Sequence, residues 1–215
     1  MNDFEVYKDT ISREHAQTVI NLTDYNDRDN FFLDFEFLSG VNQDIWQKYN
    51  ICERYKTRNR RDAENNPYPH NYDAFDLLAE QLKPVWDKVN ADRNVDLHIE
   101  NCWGIDLVFY SPNTILTPHV DGFDTVLITC LESRNIVDEE GNLLLWQQDE
   151  SSLNKIITEF PDNTDYKHSL HLEQGDTLWI DDKDFYHALT PITQGVRVTA
   201  ISRWGNRTPD RGFDY

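Results

Sequence analysis

The stretch Thr117-Pro118-His119-Val120-Asp121-Gly122, "TPHVDG", lies between two apolar runs near the middle of the chain. A polar turn after a strand would use such residues. A metal site would use them as well, because an imidazole and a carboxylate two positions apart can both offer ligand atoms to one cation. The metal reading makes two demands on the rest of the chain. It needs strands on either side to aim the ligands, and it needs a third ligand downstream.

The strands are there. After residue 94 short β-rich segments follow one another: "VDLHIENCWGIDLVFY" (95–110), "FDTVLITCLE" (123–132), "GNLLLWQQ" (141–148), "HSLHLEQGDTLWI" (168–180) and "GVRVTAISRW" (195–204). Gly, Pro, Asp or Asn divides them, as expected of strands joined by tight turns. The first of them alternates, is expected to break at Gly104, and resumes. His98 on it reads as a structural histidine beside the core.

Before residue 94 the pattern is mostly helical. "TISREHAQTVINL" (10–22) reads as a short helix with Thr10 or Ser12 near its start. "FFLDFEFLSG" (31–40) reads as a strand. "NQDIWQKYNICERYK" (42–56) places Ile45, Tyr49 and Cys52 at helical spacing. "YDAFDLLAEQLKPVWDKVN" (72–90) puts Phe75, Leu78, Leu82 and Val85 on one stripe, with Pro84 expected to bend the helix or break it in two. The expected organisation is a single domain over 1–215. Residues 1–94 form a helix-rich support region with an early strand, and residues 95–205 form the β core that carries the site. Its class is mainly β with supporting helices packed on an antiparallel sandwich or barrel.

Composition narrows the partners. The formal charge of −19 repels phosphate backbones, so nucleic acid is a poor partner, and neutral or cationic substrates are favoured. One stretch runs against this field. "ERYKTRNRRD" (53–62) holds Arg54, Lys56, Arg58, Arg60 and Arg61, and reads as a solvated helix end or loop, or else as a clamp for an anionic group. Cys52, Cys102 and Cys130 are odd in number and widely spaced, which suits buried thiols in a reducing compartment. With no signal-peptide pattern at the start and no apolar run of membrane-spanning length, a cytoplasmic, non-membrane location is expected. "RDAENNPYPHNYD" (61–73) reads as a loop, either at the mouth of the barrel and ordering around substrate or a surface connector remote from the site. The tail 203–215 is either disordered or docked through Phe213 and Tyr215.

Of the remaining histidines, His187 is the best third ligand, because it emerges just after a strand and a turn in "GDTLWIDDKDFYH". Ten residues on, Arg197 stands among Val196, Val198 and Ala200, where a buried guanidinium needs an anion. The pattern is His-x-Asp, a long gap, His, then a strand arginine. Two imidazoles and one carboxylate make a facial triad that suits Fe(II) and leaves positions open for other ligands.

On these residues the chain resembles the 2-oxoglutarate and Fe(II)-dependent oxygenases, on their prolyl-4-hydroxylase-like branch. "HVD" carries the first two ligands. "HALTPITQGVRVT" (187–199) carries the distal histidine, Pro191, Gly195, Arg197 and a hydroxyl residue, Thr199. "FYSPNTILTPHVD" (109–121) resembles the family strand with a tyrosine ahead of the first ligand, here Tyr110. The likeness spans roughly residues 95–205.

The resemblance implies a double-stranded β-helix, the jelly-roll or cupin-like barrel. It implies Fe(II) on His119, Asp121 and His187, with 2-oxoglutarate and O2 as cosubstrates. Arg197 and Thr199 would hold the distal carboxylate of 2-oxoglutarate. Tyr110 would donate to the cosubstrate or serve only in packing, with Thr125 and Thr129 as weaker substitutes. The implied reaction hydroxylates an unactivated carbon of an amino acid, a peptidyl residue (prolyl among them) or another small metabolite, releasing succinate and CO2. Halogenating relatives lack the acid that Asp121 supplies, which favours hydroxylation; desaturation and cyclisation begin from the same oxidation and stay open. Two other classes stay open too: a non-catalytic double-stranded β-helix that only binds, and a cupin-like metal enzyme that does not use 2-oxoglutarate. The sequence leaves oligomeric state undetermined.

Overall fold

Ser12 begins the first helix, α1 (Arg13–Asn21), by accepting a hydrogen bond on its Oγ from the backbone N–H of His15. The second, α2 (Tyr72–Arg93), is continuous through Pro84, so of the expected bend or break the break does not occur. A proline inside a helix costs about 3 kcal/mol. Phe75, Leu78, Leu82, Val85 and Trp86 are buried on both sides of it, and each contributes roughly 1.5–3 kcal/mol, so packing wins. These features belong to a computed structural model of the chain, which describes residues 3–23, 31–33, 50–60, 72–93, 95–138, 140–152 and 166–205.

Twelve strands among these residues form two sheets, giving a mixed β/α fold. They are β1 (Phe4–Tyr7), β2 (Phe31–Leu33), β3 (Asn50–Ile51), β4 (Glu53–Arg58), β5 (Cys102–Tyr110), β6 (Thr114–His119), β7 (Thr125–Arg134), β8 (Leu143–Gln147), β9 (His168–Leu170), β10 (Thr177–Ile180), β11 (Phe185–Ile192) and β12 (Val196–Trp204). The larger sheet has the order β1-β10-β7-β12-β5-β4-β2, and the smaller β3-β6-β11-β8-β9. The first 94 residues thus supply strands β1, β2 and β4 to the same sheet as the later segments.

Alternation along the larger sheet divides the core in two. Val198, Ala200 and Trp204 on β12, with Ile105 and Leu107 on β5, face α1 and α2. Ile201, Val108 and Tyr110 point the other way, toward Leu116, Leu145, Phe185 and Leu189 of the smaller sheet. The site lies in this inner layer.

Three expectations are corrected. Residues 50–58 are strands, not a helix, and "ERYKTR" is not a solvated end. Tyr55 packs in the outer core, and Arg54 and Arg58 are buried. Period 2 prevails there because β4 finds an antiparallel partner in β5. His98 precedes β5 rather than lying on a strand, and its side chain is 62% exposed and paired with Asp96 at 2.8 Å. β5 itself runs through Gly104 without a break. A Cβ there would stand 2.6 Å from the Thr57 carbonyl oxygen, so glycine permits the close approach of β4. Of the expected loop 61–73, residues 61–71 lie outside the described residues, as do the end of the strand 31–40 and the tail beyond 205, while Tyr72 and Asp73 begin α2.

Candidate metal centre

His119 ends β6 and His187 lies on the adjacent antiparallel β11, where the two residues are register partners. Side chains opposite each other on paired strands share a face, and the two imidazole centroids stand 4.3 Å apart. Asp121 follows two residues after β6. Its Oδ2 comes within 3.4 Å of His187 Nε2. The three side chains offer ligand atoms that all lie within 4.8 Å of one another. The sequence-predicted triad is therefore brought together by one strand pair and the turn after it.

The donor set fits a divalent cation. Asp121 Oδ2 and both ring nitrogens of His187 are buried without a hydrogen-bond partner. Burying such groups bare is unfavourable, and a cation among them would satisfy them. Two imidazoles and one carboxylate are the facial set used by non-haem Fe(II). Burial alone would raise the Asp121 carboxyl, but the Arg203 guanidinium and the neighbouring histidines hold it well below the usual carboxylate range. It therefore stays an anionic ligand. Arg203, from β12 of the opposite sheet, donates to Asp121 Oδ1 from Nε at 2.9 Å and from Nη2 at 2.7 Å, which leaves Oδ2 for the metal.

Asp182 is a residue the sequence reading missed. Its carboxylate accepts backbone N–H bonds from Asp121 (3.3 Å), Gly122 (2.7 Å) and Phe123 (3.2 Å), pinning the turn that carries the ligand. Its Oδ1 also lies 3.6 Å from His187 Nδ1. A proton on Nδ1 leaves Nε2 free for a metal, which is how outer carboxylates orient ligating histidines. Burial, then the charge of Asp121, push the Asp182 carboxyl up to about 7. The available signal was the Asp181-Asp182 pair just before β11.

The remaining predicted residues lie in the inner layer, on β12 and β5 of the larger sheet. Arg197 and Thr199 are buried on one face of β12, and Tyr110 is the register partner of Arg197 across β5. Arg197 Nη1 donates to the Gly141 carbonyl, and its Nη2 donates to the Leu172 carbonyl at 2.9 Å. Arg197 Nε and Thr199 Oγ1 are buried without a partner. Thr129 is different. Its hydroxyl pairs with that of Thr177 at 3.0 Å, on a strand whose neighbouring Leu127 and Leu131 face the helices.

Residues 111–201 match the family of 2OG-Fe dioxygenases. Curated proteins give no match. Solved structures with this fold include a prolyl 4-hydroxylase from Pseudomonas putida, at 9% identity and a TM-score of 0.58, covering 97% of this chain and 95% of that one. A viral collagen prolyl hydroxylase from Paramecium Bursaria Chlorella virus-1, in complex with 2OG, is 13% identical with a TM-score of 0.55, covering 94% and 95%. No described helix is long and apolar enough to cross a membrane. Over residues 111–201 the chain thus resembles the 2OG-Fe dioxygenases, its fold is akin to prolyl-4-hydroxylase-like structures, and His119, Asp121 and His187 form a triad within the matched segment that could hold a metal ion.

Proposed function

We propose that this oxygenase hydroxylates an unactivated carbon of a small substrate: a free amino acid, a peptidyl residue such as prolyl, or another metabolite. The observation that carries the reading is the buried triad, whose three ligands fall inside the segment matched to the family. When bound, Fe(II) with 2-oxoglutarate and O2 supplies the oxidising power, and 2-oxoglutarate leaves as succinate and CO2.

The protein's own part is positioning. Arg197 would pair with the distal carboxylate of 2-oxoglutarate, and the buried, partnerless Nε of Arg197 and Oγ1 of Thr199 support this. Tyr110 would stand beside them from β5. Asp121 keeps a carboxylate where a halide would need a vacancy, which favours hydroxylation. A cupin-like enzyme without 2-oxoglutarate would have no use for the donors at Arg197 and Thr199. The two facing sheets support a double-stranded β-helix of the jelly-roll or cupin type, within one oxygenase domain across 1–215. The three free, buried cysteines suit a reducing, cytoplasmic setting.

The test is succinate release from 2-oxoglutarate by the purified protein with Fe(II) and O2. His187→Ala should lose tight metal binding and all measurable turnover. Full turnover in that variant removes His187 from the triad. Mass spectrometry of a lysate treated with active protein, scored for an added oxygen, identifies the substrate.

A further inference from the structure

A basic wall lies inside this acidic chain. Arg54, Lys56 and Arg58 occupy alternate positions on β4, so they leave one face of the strand. Their register partners on β5 are Val108, Asp106 and Gly104. Val108 belongs to the inner core, whereas Tyr55 packs in the outer one, so the basic face is the inner face.

Arg58 is the informative member. Its Nη1 donates to Asp106 Oδ1 and to the Thr57 carbonyl, each at 2.7 Å. Its Nε is buried and has no hydrogen-bond partner. The guanidinium lies 4.0 Å over the ring of Trp103, which in turn stands 4.9 Å from the ring of Phe123. A narrow crevice with room for about one water is lined by Arg54, Arg58, Trp103, Asp106, Phe123 and Arg203, and it reaches Asp121, so a ligand here enters by parting these side chains. A donor awaiting an acceptor and an aromatic pair thus stand next to the metal triad.

A buried guanidinium N–H without an acceptor is unfavourable, and a planar carboxylate is the group that best satisfies it. The carboxylate of 2-oxoglutarate has its own candidate site at Arg197 and Thr199, six and four residues from Arg203 along β12. The Arg58 position is therefore a second place for an anion.

We propose that Arg58 reads a carboxylate of the substrate, and that the substrate is a small carboxylic acid whose apolar carbons pack on Trp103 and Phe123. The proposal rests on the oxygenase reading of the triad. The substrate carboxylate takes no part in the chemistry: one C–H becomes C–OH as 2-oxoglutarate and O2 become succinate and CO2. The net charge of −19 favours neutral or cationic ligands at the surface, but the sign at this wall is local and opposite.

The experiment compares acids with their carboxamides on the full chain. The probes are the twenty L-amino acids, straight-chain acids of four to eight carbons, and apolar dipeptides, each also as the amide. Succinate release is measured with Fe(II), 2-oxoglutarate and O2. Binding is measured by calorimetry on anaerobic protein loaded with Mn(II) and 2-oxoglutarate. At least one acid should bind tenfold or more tighter than its amide, and the probe class that does so separates free amino acids, simple acids and peptide C-termini. In Arg58→Gln the acid-to-amide ratio should fall to about one, while Arg58→Lys, which keeps the charge but loses the fork, should keep a weaker preference for the acid than the native protein.

Equal binding of acids and amides, no binding by any acid, or an unchanged ratio in Arg58→Gln would overturn the proposal. Should Arg58→Gln not fold, an Arg58→Lys ratio equal to that of the native protein would overturn it too. A native protein that releases no succinate but prefers acids in calorimetry would sink the oxygenase reading and leave this one standing.

Discussion

Arg197 and Arg203 lie on the same face of the same strand, six residues apart, and both are buried. Their surroundings differ. Arg203 is held by carboxylates: Nη1 donates to Asp106 at 2.8 Å, and Nε and Nη2 donate to Asp121. Arg197 donates to the neutral backbone carbonyls of Gly141 and Leu172 and to the Ser133 hydroxyl. Carbonyls orient a guanidinium without cancelling its charge, whereas the two carboxylates that share the donors of Arg203 cancel its charge. Under the proposed function, the first arrangement would keep a cation ready for 2-oxoglutarate, and the second would brace the metal ligand Asp121 from behind. The difference teaches that a buried arginine is read donor by donor, from what holds each N–H, not from its burial.

The contrast can be broken hardest at Asp106. Asp106→Asn leaves Arg58 and Arg203 without their shared carboxylate. Removing one side of a buried ion pair costs about 3–5 kcal/mol. Urea unfolding should show that loss, and a change under 1 kcal/mol would mean the cluster is not structural.

At the other end, Arg197→Lys keeps the charge but loses the fork. Hydrogen bonds to charged groups contribute about 1.5–3 kcal/mol, so the KM for 2-oxoglutarate should rise by roughly ten- to a hundredfold. Metal affinity should be largely retained. An unchanged KM would assign Arg197 to structure, like Arg203.

Asp182→Asn places an amide against three backbone donors and beside His187. Metal affinity should fall by roughly ten- to a hundredfold, measured by Co(II) titration of the protein. Unchanged affinity with lowered stability would make Asp182 a loop clamp only.

The smallest effect is in acid. Burial would raise the Asp106 carboxyl, but Arg58, then Arg203 and Arg54, hold it far below the usual range. A carboxyl depressed in the folded state contributes stability above its unfolded value of about 3.9, and that contribution is lost as pH falls. The stability gap between the native protein and Asp106→Asn should therefore shrink by about 1.4 kcal/mol for each pH unit below that value. A gap that is flat from pH 5 to pH 2 would contradict the ionic account of this end.

Local chemistry made much of this protein legible. His-x-Asp, a distal histidine and a strand arginine are fixed by covalent spacing, so the triad could be named before any fold was known. The strands around it were readable from alternation, and Ser12 from its capping chemistry. Other features were decided by partners distant in sequence. Residues 50–58 carry a weak helical spacing, and only pairing with β5 made them strand and turned Arg54 and Arg58 inward. Pro84 argues for a break, and burial on both sides overrode it. His98 looked internal because its neighbours are apolar, but the chain passes it before β5 begins. Asp182 and Arg203 owe their roles to approaches across 60 and 82 residues of chain. Sequence sets which groups can ligate; the tertiary fold alone decides which carboxylate meets which guanidinium, because burial makes those pairings strong and no local pattern encodes them.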